Sequence, residues 1–387
     1  MDKTMKVAVI GAGTMGIGIA QVAARAGHSV LLFDSRKDAV QKALDGLRRT
    51  MDRLVEKGKF TTEQANGLVE RITPASDLEQ LHVAGLVIEA IIEDLGIKKK
   101  LFSDLEKTIA SDTVLATNTS SLSVTAIAAA CQHPERVVGL HFFNPAPILP
   151  LVEVVPGLVT TPELPTRMVD LMAAWGKVPV QCKDTPGFIV NRVARPFYGE
   201  SIRIFEEGIA DMPTIDAALK SVGFKMGPFE LMDLIGNDIN FTVTRTVWEA
   251  FFYDPRYKPS FTQQRQVESG RLGRKSGRGY YSYADGTTPP SPTADPQLSA
   301  EIAERVLAML INEAVDTLFW NVASAKDIDL AMTKGVNYPK GLLAWANEKG
   351  ASHWLSVLED LQLLTGEDRY RPSPLLRRAA ETNFALA

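Results

Sequence analysis

Two side chains of complementary proton chemistry lie 12 positions apart, each in apolar company. His141 follows the run Val137-Val138-Gly139-Leu140, and Glu153 sits inside Leu151-Val152-Glu153-Val154-Val155. A histidine near its ordinary pKa of about 6.5 can take up and return a proton close to neutrality, and it works better with a partner that fixes its tautomer. An unpaired carboxylate in a buried strand would cost on the order of several kcal/mol, so Glu153 needs a donor. Asn144-Pro145-Ala146-Pro147 can turn the chain and lay the two strands side by side. A base so placed suits removal of a hydroxyl proton as hydride leaves the same carbon. The alternative reading has Glu153 facing solvent by strand alternation and His141 as a satisfied core histidine.

A hydride needs an acceptor, and the start of the chain is built for one. Gly11-Ala12-Gly13-Thr14-Met15-Gly16 joins the apolar run Val7-Ala8-Val9-Ile10 to a small-residue helix pattern, and Asp34 closes the next run, Val30-Leu31-Leu32-Phe33. Gly11 permits the tight turn, Gly13 lets the backbone approach a pyrophosphate, and Gly16 lets the helix pack on the sheet with its amides aimed at the anion. Asp34 can accept from both ribose hydroxyls and repels a 2′-phosphate, which favours NAD over NADP; Ser35 and Arg36 complicate that preference. At the carboxyl end of such a sheet His141 would face the cofactor crevice.

The 387-residue chain is 45% hydrophobic and 23% charged, with a net charge of -4, an ordinary balance for a globular protein. It shows no basic tract for nucleic acid and no apolar run of about 20 residues for a bilayer. Met1 to Lys6 lead straight into a strand without a secretory pattern. Two cysteines, Cys131 and Cys182, are too few for a disulfide framework or a thiolate metal cluster, so a cytoplasmic, metal-free protein is expected.

Strand and helix signals alternate through residue 184. Further strands are expected at 85–89, 114–117, 137–142, 151–155 and 178–180, in the continuous apolar form of a parallel sheet covered on both faces. Residues 37–70 read as a helical hairpin standing away from the sheet, with Lys57-Gly58-Lys59 near its tip. Asp184-Thr185-Pro186-Gly187 marks a change of regime: the polar side chains can cap, Pro186 suits the first turn of a long helix, and the pattern is helical from Phe188 to Ala210.

The second half repeats itself at an offset of 113. Arg192-Val193, Glu200, Ile215-Asp216, Ala218, Tyr257, Pro259 and Ser260 recur as Arg305-Val306, Glu313, Ile328-Asp329, Ala331, Tyr370, Pro372 and Ser373. The fold expected is α/β, a Rossmann-type doubly wound sheet over 1–184 followed by two tandem all-helical domains. These span 185–283 and 299–387, with 284–298 as a Pro-rich linker.

The glycine loop, Val87-Ile88-Glu89-Ala90, Asn118-Thr119-Ser120-Ser121-Leu122, His141-Phe142-Phe143-Asn144-Pro145, Asp184 through Arg192, and Gly227-Pro228-Phe229-Glu230-Leu231-Met232-Asp233 together resemble the L-3-hydroxyacyl-CoA dehydrogenase family. The likeness covers essentially the whole chain, with its strongest motifs in the first 283 residues. It implies that His141, held by Glu153, is the base in oxidation and the acid in reduction. It also implies that Ser120 and Asn191 hold the reacting oxygen and the nicotinamide end of NAD. A hydroxyl and an amide are neutral donors that stabilise oxyanion character without trapping the product as a salt. Without the family, Ser120 reads as a loop or cap residue and Asn191 as a helix-start residue.

The resemblance further places Ala90, Glu93, Lys98 and Asn118 at the cofactor, although Glu93 and Lys98 could equally be surface charges. It gives Arg53, Lys57 and Lys59 of the hairpin to the phosphate end of an acyl-CoA substrate. The implied reaction is reversible oxidation of a (3S)-3-hydroxyacyl-CoA to the 3-oxoacyl ester. Relatives with one helical domain dimerise through it, so a fused second copy implies either a monomer with an internal pseudo-dimer or a homodimer through another face. Position 304, which aligns with Asn191, is glutamate, so copy two reads as structural. The chain leaves no room for a hydratase domain, so a hydratase or thiolase partner would be separate. The competing readings are a dehydrogenase of a free hydroxyacid or sugar acid on the same scaffold, and a sensor that binds NAD without turnover.

Overall fold

The computed structural model describes residues 5–288, 290–382 and 384–386. Residues 1–4 and Pro289 of the linker, both used in the sequence reading, lie outside them. The chain forms two compact units, residues 1–185 and 186–387.

The first unit is an eight-stranded sheet. Its strands are β1 (Val7–Ile10), β2 (Val30–Phe33), β3 (Ile72–Pro74), β4 (Leu86–Glu89), β5 (Val114–Thr117), β6 (Val137–Phe142), β7 (Leu151–Pro156) and β8 (Val178–Gln181), in the spatial order 3-2-1-4-5-6-7-8. The pairs from β3 to β6 are parallel, β7 runs antiparallel to β6, and β8 is parallel to β7. The fully apolar runs form the central strands because both of their faces are covered. The covering helices are α1 (Thr14–Arg25), α2 (Ala39–Glu56), α3 (Thr62–Glu70), α4 (Leu95–Glu106), α5 (Val124–Ala128) and α6 (Glu163–Ala174).

Two expectations about this unit need correction. The α2–α3 hairpin does turn at Lys57-Gly58-Lys59, but it does not stand away from the sheet. Val40, Leu44, Leu47 and Met51 of α2 recur at helical spacing, and with Ala65 and Leu68 of α3 they are buried in the same core as Val7 and Leu32. Strand β3 went unnoticed because it has three residues, of which Ile72 alone is buried, and ends in proline.

The second unit is helical: α7 (Val190–Val193), α8 (Arg195–Glu206), α9 (Met212–Ser221), α10 (Pro228–Ile235), α11 (Asn237–Ala250), α12 (Phe261–Glu268), α13 (Pro296–Phe319), α14 (Ala325–Gly335), α15 (Leu342–Lys349), α16 (Ala351–Thr365) and α17 (Pro374–Thr382). No helix begins at Pro186, and the expected long helix is broken in two. Gly187 and Phe188 both take positive φ, at 73° and 50°, and Pro196 interrupts the amide ladder between α7 and α8. In the second copy the corresponding residues are Ala300, Glu301 and Met309, and α13 runs unbroken for 24 residues. Asp184 does cap a helix, but a distant one: its carboxylate accepts from Val124 N at 3.0 Å and Thr125 N at 2.7 Å at the start of α5.

The duplication is visible in matched contacts. Asp216 accepts from the amides of Phe229 and Glu230 at the start of α10, and Asp329 accepts from those of Leu343 and Ala344 at the start of α15. A Cβ at Gly227 would collide with Asp216, and one at Gly341 with Asp329.

In the first unit, Gly16 packs so tightly under the loop that a Cβ there would lie 1.7 Å from the Gly11 carbonyl oxygen. Gly16→Ala is therefore expected to destabilise the protein by about 3 kcal/mol or more, read as a lowered Tm; an unchanged Tm would contradict this packing.

Candidate active site

Strand pairing brings His141 and Glu153 together. In the antiparallel register of β6 and β7 they are direct partners, and the His141 Nδ1–H donates to Glu153 Oε2 at 2.6 Å. His141 is 5% exposed and Glu153 not at all, so the reading in which Glu153 faces solvent is excluded. The His141 ring also leans on Phe143, with centroids 4.3 Å apart. A buried carboxylate on Nδ1 fixes the tautomer that leaves Nε2 as the basic nitrogen, and it stabilises the imidazolium formed when that nitrogen is protonated.

The loop between the two strands is anchored on Lys177, just before β8. Its Nζ donates to the carbonyls of Ala146 and Leu149, and burial, with Arg25 nearby, pulls its pKa down to about 8. Sequence reasoning missed this clamp, which joins residues about thirty apart and has no motif.

A second polar cluster holds the loop that follows β5. Glu89, at the end of β4, is fully buried and accepts from Lys98 Nζ at 2.6 Å, Thr117 Oγ1 at 2.7 Å and Ile91 N at 2.7 Å. Lys98, 1% exposed, also reaches Glu93 at 3.1 Å. Glu93 in turn accepts from Thr119 Oγ1 at 2.5 Å, Ser120 N at 2.9 Å and Ser121 N at 3.2 Å. Lys98 is thus an enclosed counter-ion rather than a surface charge, and Glu93 organises the turn that carries Ser120. Asn118 lies two residues earlier, directly after β5, where its Oδ1 accepts from Phe142 N at 2.8 Å and ties β5 to the strand end beside His141. Glu89 carried a legible signal that was not used: like Glu153, it is an acid inside an apolar run.

The glycine loop fits a dinucleotide. Gly11 has φ +100°, and a Cβ there would lie 2.5 Å from the Ala90 carbonyl oxygen. At Gly13 a Cβ would meet nothing within 4 Å, and no side chain caps the amides at the start of α1, so the backbone is open to an anion. Gly11, Gly13, Thr14, Met15, Asp34 and Ala90 all line one cavity of about 800 Å³. Asp34 Oδ2 accepts from Ala12 N at 2.8 Å, and the guanidinium of Arg36 donates to both carboxylate oxygens at 3.0 Å. That pairing holds the Asp34 carboxyl down to about 2.

The remaining expected residues sit elsewhere. Arg53, Lys57 and Lys59 are exposed on the hairpin, at the end of α2 and in the turn after it. Asn191 lies on α7 in the helical unit, where its carbonyl accepts from Arg195 Nε at 2.9 Å. Its counterpart Glu304 accepts from Lys349 and His353, each at 2.9 Å. Among the described residues no group of three or more His, Cys, Asp or Glu side chains is placed to hold a metal, and no helix is long and apolar enough to cross a membrane.

An open sheet of this strand order, with a glycine turn at its first crossover, an acid closing β2 and a buried His–Glu pair, defines a dinucleotide-dependent oxidoreductase. Comparison with known proteins agrees. Residues 6–185 match the 3-hydroxyacyl-CoA dehydrogenase NAD binding domain, and residues 187–283 and 302–385 match the C-terminal domain of the same proteins. The chain is 42% identical to 3-hydroxyadipyl-CoA dehydrogenase of Escherichia coli (strain K12) over 98% of each. It is also 42% identical to human mitochondrial hydroxyacyl-coenzyme A dehydrogenase, over 72% of this chain and 90% of that one. A crystal structure of Escherichia coli K12 3-hydroxybutyryl-CoA dehydrogenase superposes with a TM-score of 0.93, at 41% identity and 98% coverage of both chains. The chain belongs to the 3-hydroxyacyl-CoA dehydrogenase family, with a duplicated C-terminal region and NAD as its cofactor. Membership makes it an NAD-dependent enzyme acting on a hydroxyacyl-CoA-like substrate, which speaks against a sensor without turnover.

With its pKa near 2, Asp34 adds stability that is fully present above the unfolded aspartate value of about 3.9 and is lost as pH falls through 2. The carboxylate therefore stays ionised at working pH. Asp34→Asn should weaken NAD binding about tenfold, by a ratio to the parent that is flat from about pH 8 to 5. A ratio that already shrinks near pH 6 would show the group titrating higher.

Proposed function

We propose that the chain oxidises (3S)-3-hydroxyacyl-CoA esters to 3-oxoacyl-CoA, reversibly, with His141 as base and Glu153 as its orienting acid. The observation that carries this is the 2.6 Å contact between Nδ1 and a carboxylate with no exposed surface. In oxidation His141 takes the hydroxyl proton at Nε2, and Glu153 offsets the charge gained by the ring. In reduction the imidazolium returns that proton to the carbonyl oxygen. NAD, when bound, supplies the hydride acceptor. Gly11, Gly13, Thr14, Met15, Gly16, Asp34 and Ala90 are proposed to hold it, with Glu93 and Lys98 setting the nicotinamide side through Ser120 and Asn118 through the end of β6.

The Ser120 hydroxyl and the Asn191 amide are the proposed donors to the reacting oxygen, and Arg53, Lys57 and Lys59 offer positive charge to the phosphates of coenzyme A. The substrate is then of the class formed by hydration of a 2-enoyl ester, and the product of the class that a thiolase cleaves. The boundaries read for the helical copies, 185–283 and 299–387, fit a second copy that imitates a partner subunit. Matched contacts inside the helical unit support a monomer, which sedimentation would distinguish from a homodimer.

The relatives named above include one for a short monocarboxyl chain and one for a dicarboxyl chain. NADH formation from a series of CoA esters, ω-carboxyl esters and free acids tests the class; turnover of the free acids alone would overturn it. His141→Gln is expected to lower kcat at least about 100-fold with NAD affinity nearly unchanged. Near-normal turnover in that variant would remove His141 from the mechanism.

A further inference from the structure

The repeat at an offset of 113 becomes, in the helical unit, two buried clusters in which each copy supplies the counter-charge for the other. Arg192 of the first copy donates from Nε to Glu313 Oε1 of the second at 2.6 Å, and Tyr257 OH donates to the same oxygen at 2.5 Å. In the mirror set Arg305 of the second copy donates from Nε to Glu200 Oε1 of the first at 2.6 Å, and Tyr370 OH donates to that oxygen at 2.6 Å. Arg192 and Arg256 also converge on Asp316, each at 3.1 Å, so the first cluster balances two cations against two carboxylates. Glu313 has no exposed surface. Burial alone would raise its carboxyl, but Arg192 and Arg256 outweigh that and hold it below its ordinary value.

The two clusters match in chemistry but not in what they hold. Arg192 follows Asn191 on α7, a four-residue helix cut off from α8. A helix this short has no stability of its own, so its orientation is set by tertiary anchors. Besides the buried Val190 and Val193, those anchors include side-chain contacts: Arg192 lies over the ring of Phe251 at 5.2 Å and ends on Glu313, while Arg195 grips the Asn191 carbonyl. Arg305 follows Glu304 in the middle of the continuous α13, which needs no such anchor.

We propose that Glu313, supplied by the second copy, is a positioning residue for the reaction: it fixes Arg192 and, through it, the turn that aims the Asn191 amide. The second copy thus takes part in catalysis without carrying a catalytic residue. This rests on the reading that Asn191 meets the reacting oxygen or the cofactor.

The mirror pair supplies the control. Glu313→Gln and Glu200→Gln each remove one buried carboxylate charge from an equivalent Arg–Tyr site, so both should lower Tm. In the full-length protein Glu313→Gln should reduce kcat about tenfold or more while KM for NAD stays within about twofold, because a small misplacement of one donor is enough to slow the reaction. Glu200→Gln should keep kcat within about twofold of the parent. Equal loss of kcat in both variants, or loss in neither, would reduce Glu313 to a stabilising role and overturn the proposal. Asn191→Ala separates the two layers. A normal kcat there would remove both the role read for Asn191 and the proposal; a low kcat there, with the two glutamine variants alike, would overturn only the positioning. Should either glutamine variant not fold, Tyr257→Phe against Tyr370→Phe removes one donor from each carboxylate, and the same asymmetry in kcat is expected.

Discussion

A carboxylate withdrawn from water must be given donors, and in this chain that requirement fixes the groups proposed to react and those that hold them. Glu153, Glu89 and Glu313 have no exposed surface. Glu153 is satisfied by the imidazole of His141, Glu89 by Lys98 and Thr117, and Glu313 by Arg192, Arg256 and Tyr257. Removing one partner from such a pair leaves the other charge stranded, which costs about 3–5 kcal/mol, so each acid locks its partner in place more firmly than a surface contact would. The partners are the proposed base, the cation behind the Ser120 turn and the anchor of the Asn191 turn.

That locking needs strand register. Because side chains alternate, a slip of one residue between β6 and β7 would send Glu153 to the opposite face of the sheet and leave both it and His141 without a partner. The antiparallel turn makes the pairing possible over so short a separation, since a parallel neighbour of β6 would need a crossover connection of a dozen or more residues. Lys177 pins the carbonyls of that turn, and Pro147 and Ala146 pack beside Gly18, where a Cβ would come within 3.2 Å and 3.3 Å of them. The strands that carry His141 and Glu153 and the helix that follows the glycine loop are therefore tied through one loop.

Much of this was legible in the residues. Apolar runs gave seven of the eight strands, and an acid inside such a run led to the His141–Glu153 pair. What escaped has physical causes. β3 buries a single side chain, so it has no run to read. The stretch from Phe188 to Ala210 shows helical periodicity on both sides of Pro196, and the period survives a break that the backbone does not. Asp184 looked like a local cap because a cap is usually a neighbour in sequence, whereas it serves a helix 60 residues away. Glu93 and Lys98 carried ordinary surface chemistry until the fold closed over Lys98. Periodicity reports which face is buried; it does not report which charges meet there.

The two helical copies show how the same sequence framework yields a broken helix in one place and a continuous one in the other. Gly187 and Pro196 break the first copy into a short α7 and a longer α8, and Asn191 lies on the fragment between the breaks. With alanine and methionine at the matching positions the second copy has nothing to interrupt it, and α13 continues through Glu304 as a single rod. A rod carries its own orientation; a fragment does not. The arginine, glutamate and tyrosine of the repeat are present in both copies, and each arginine ends on the glutamate of the other copy. Joining both copies in one chain makes that pairing intramolecular, so the anchor of the Asn191 turn does not depend on protein concentration as it would between separate subunits.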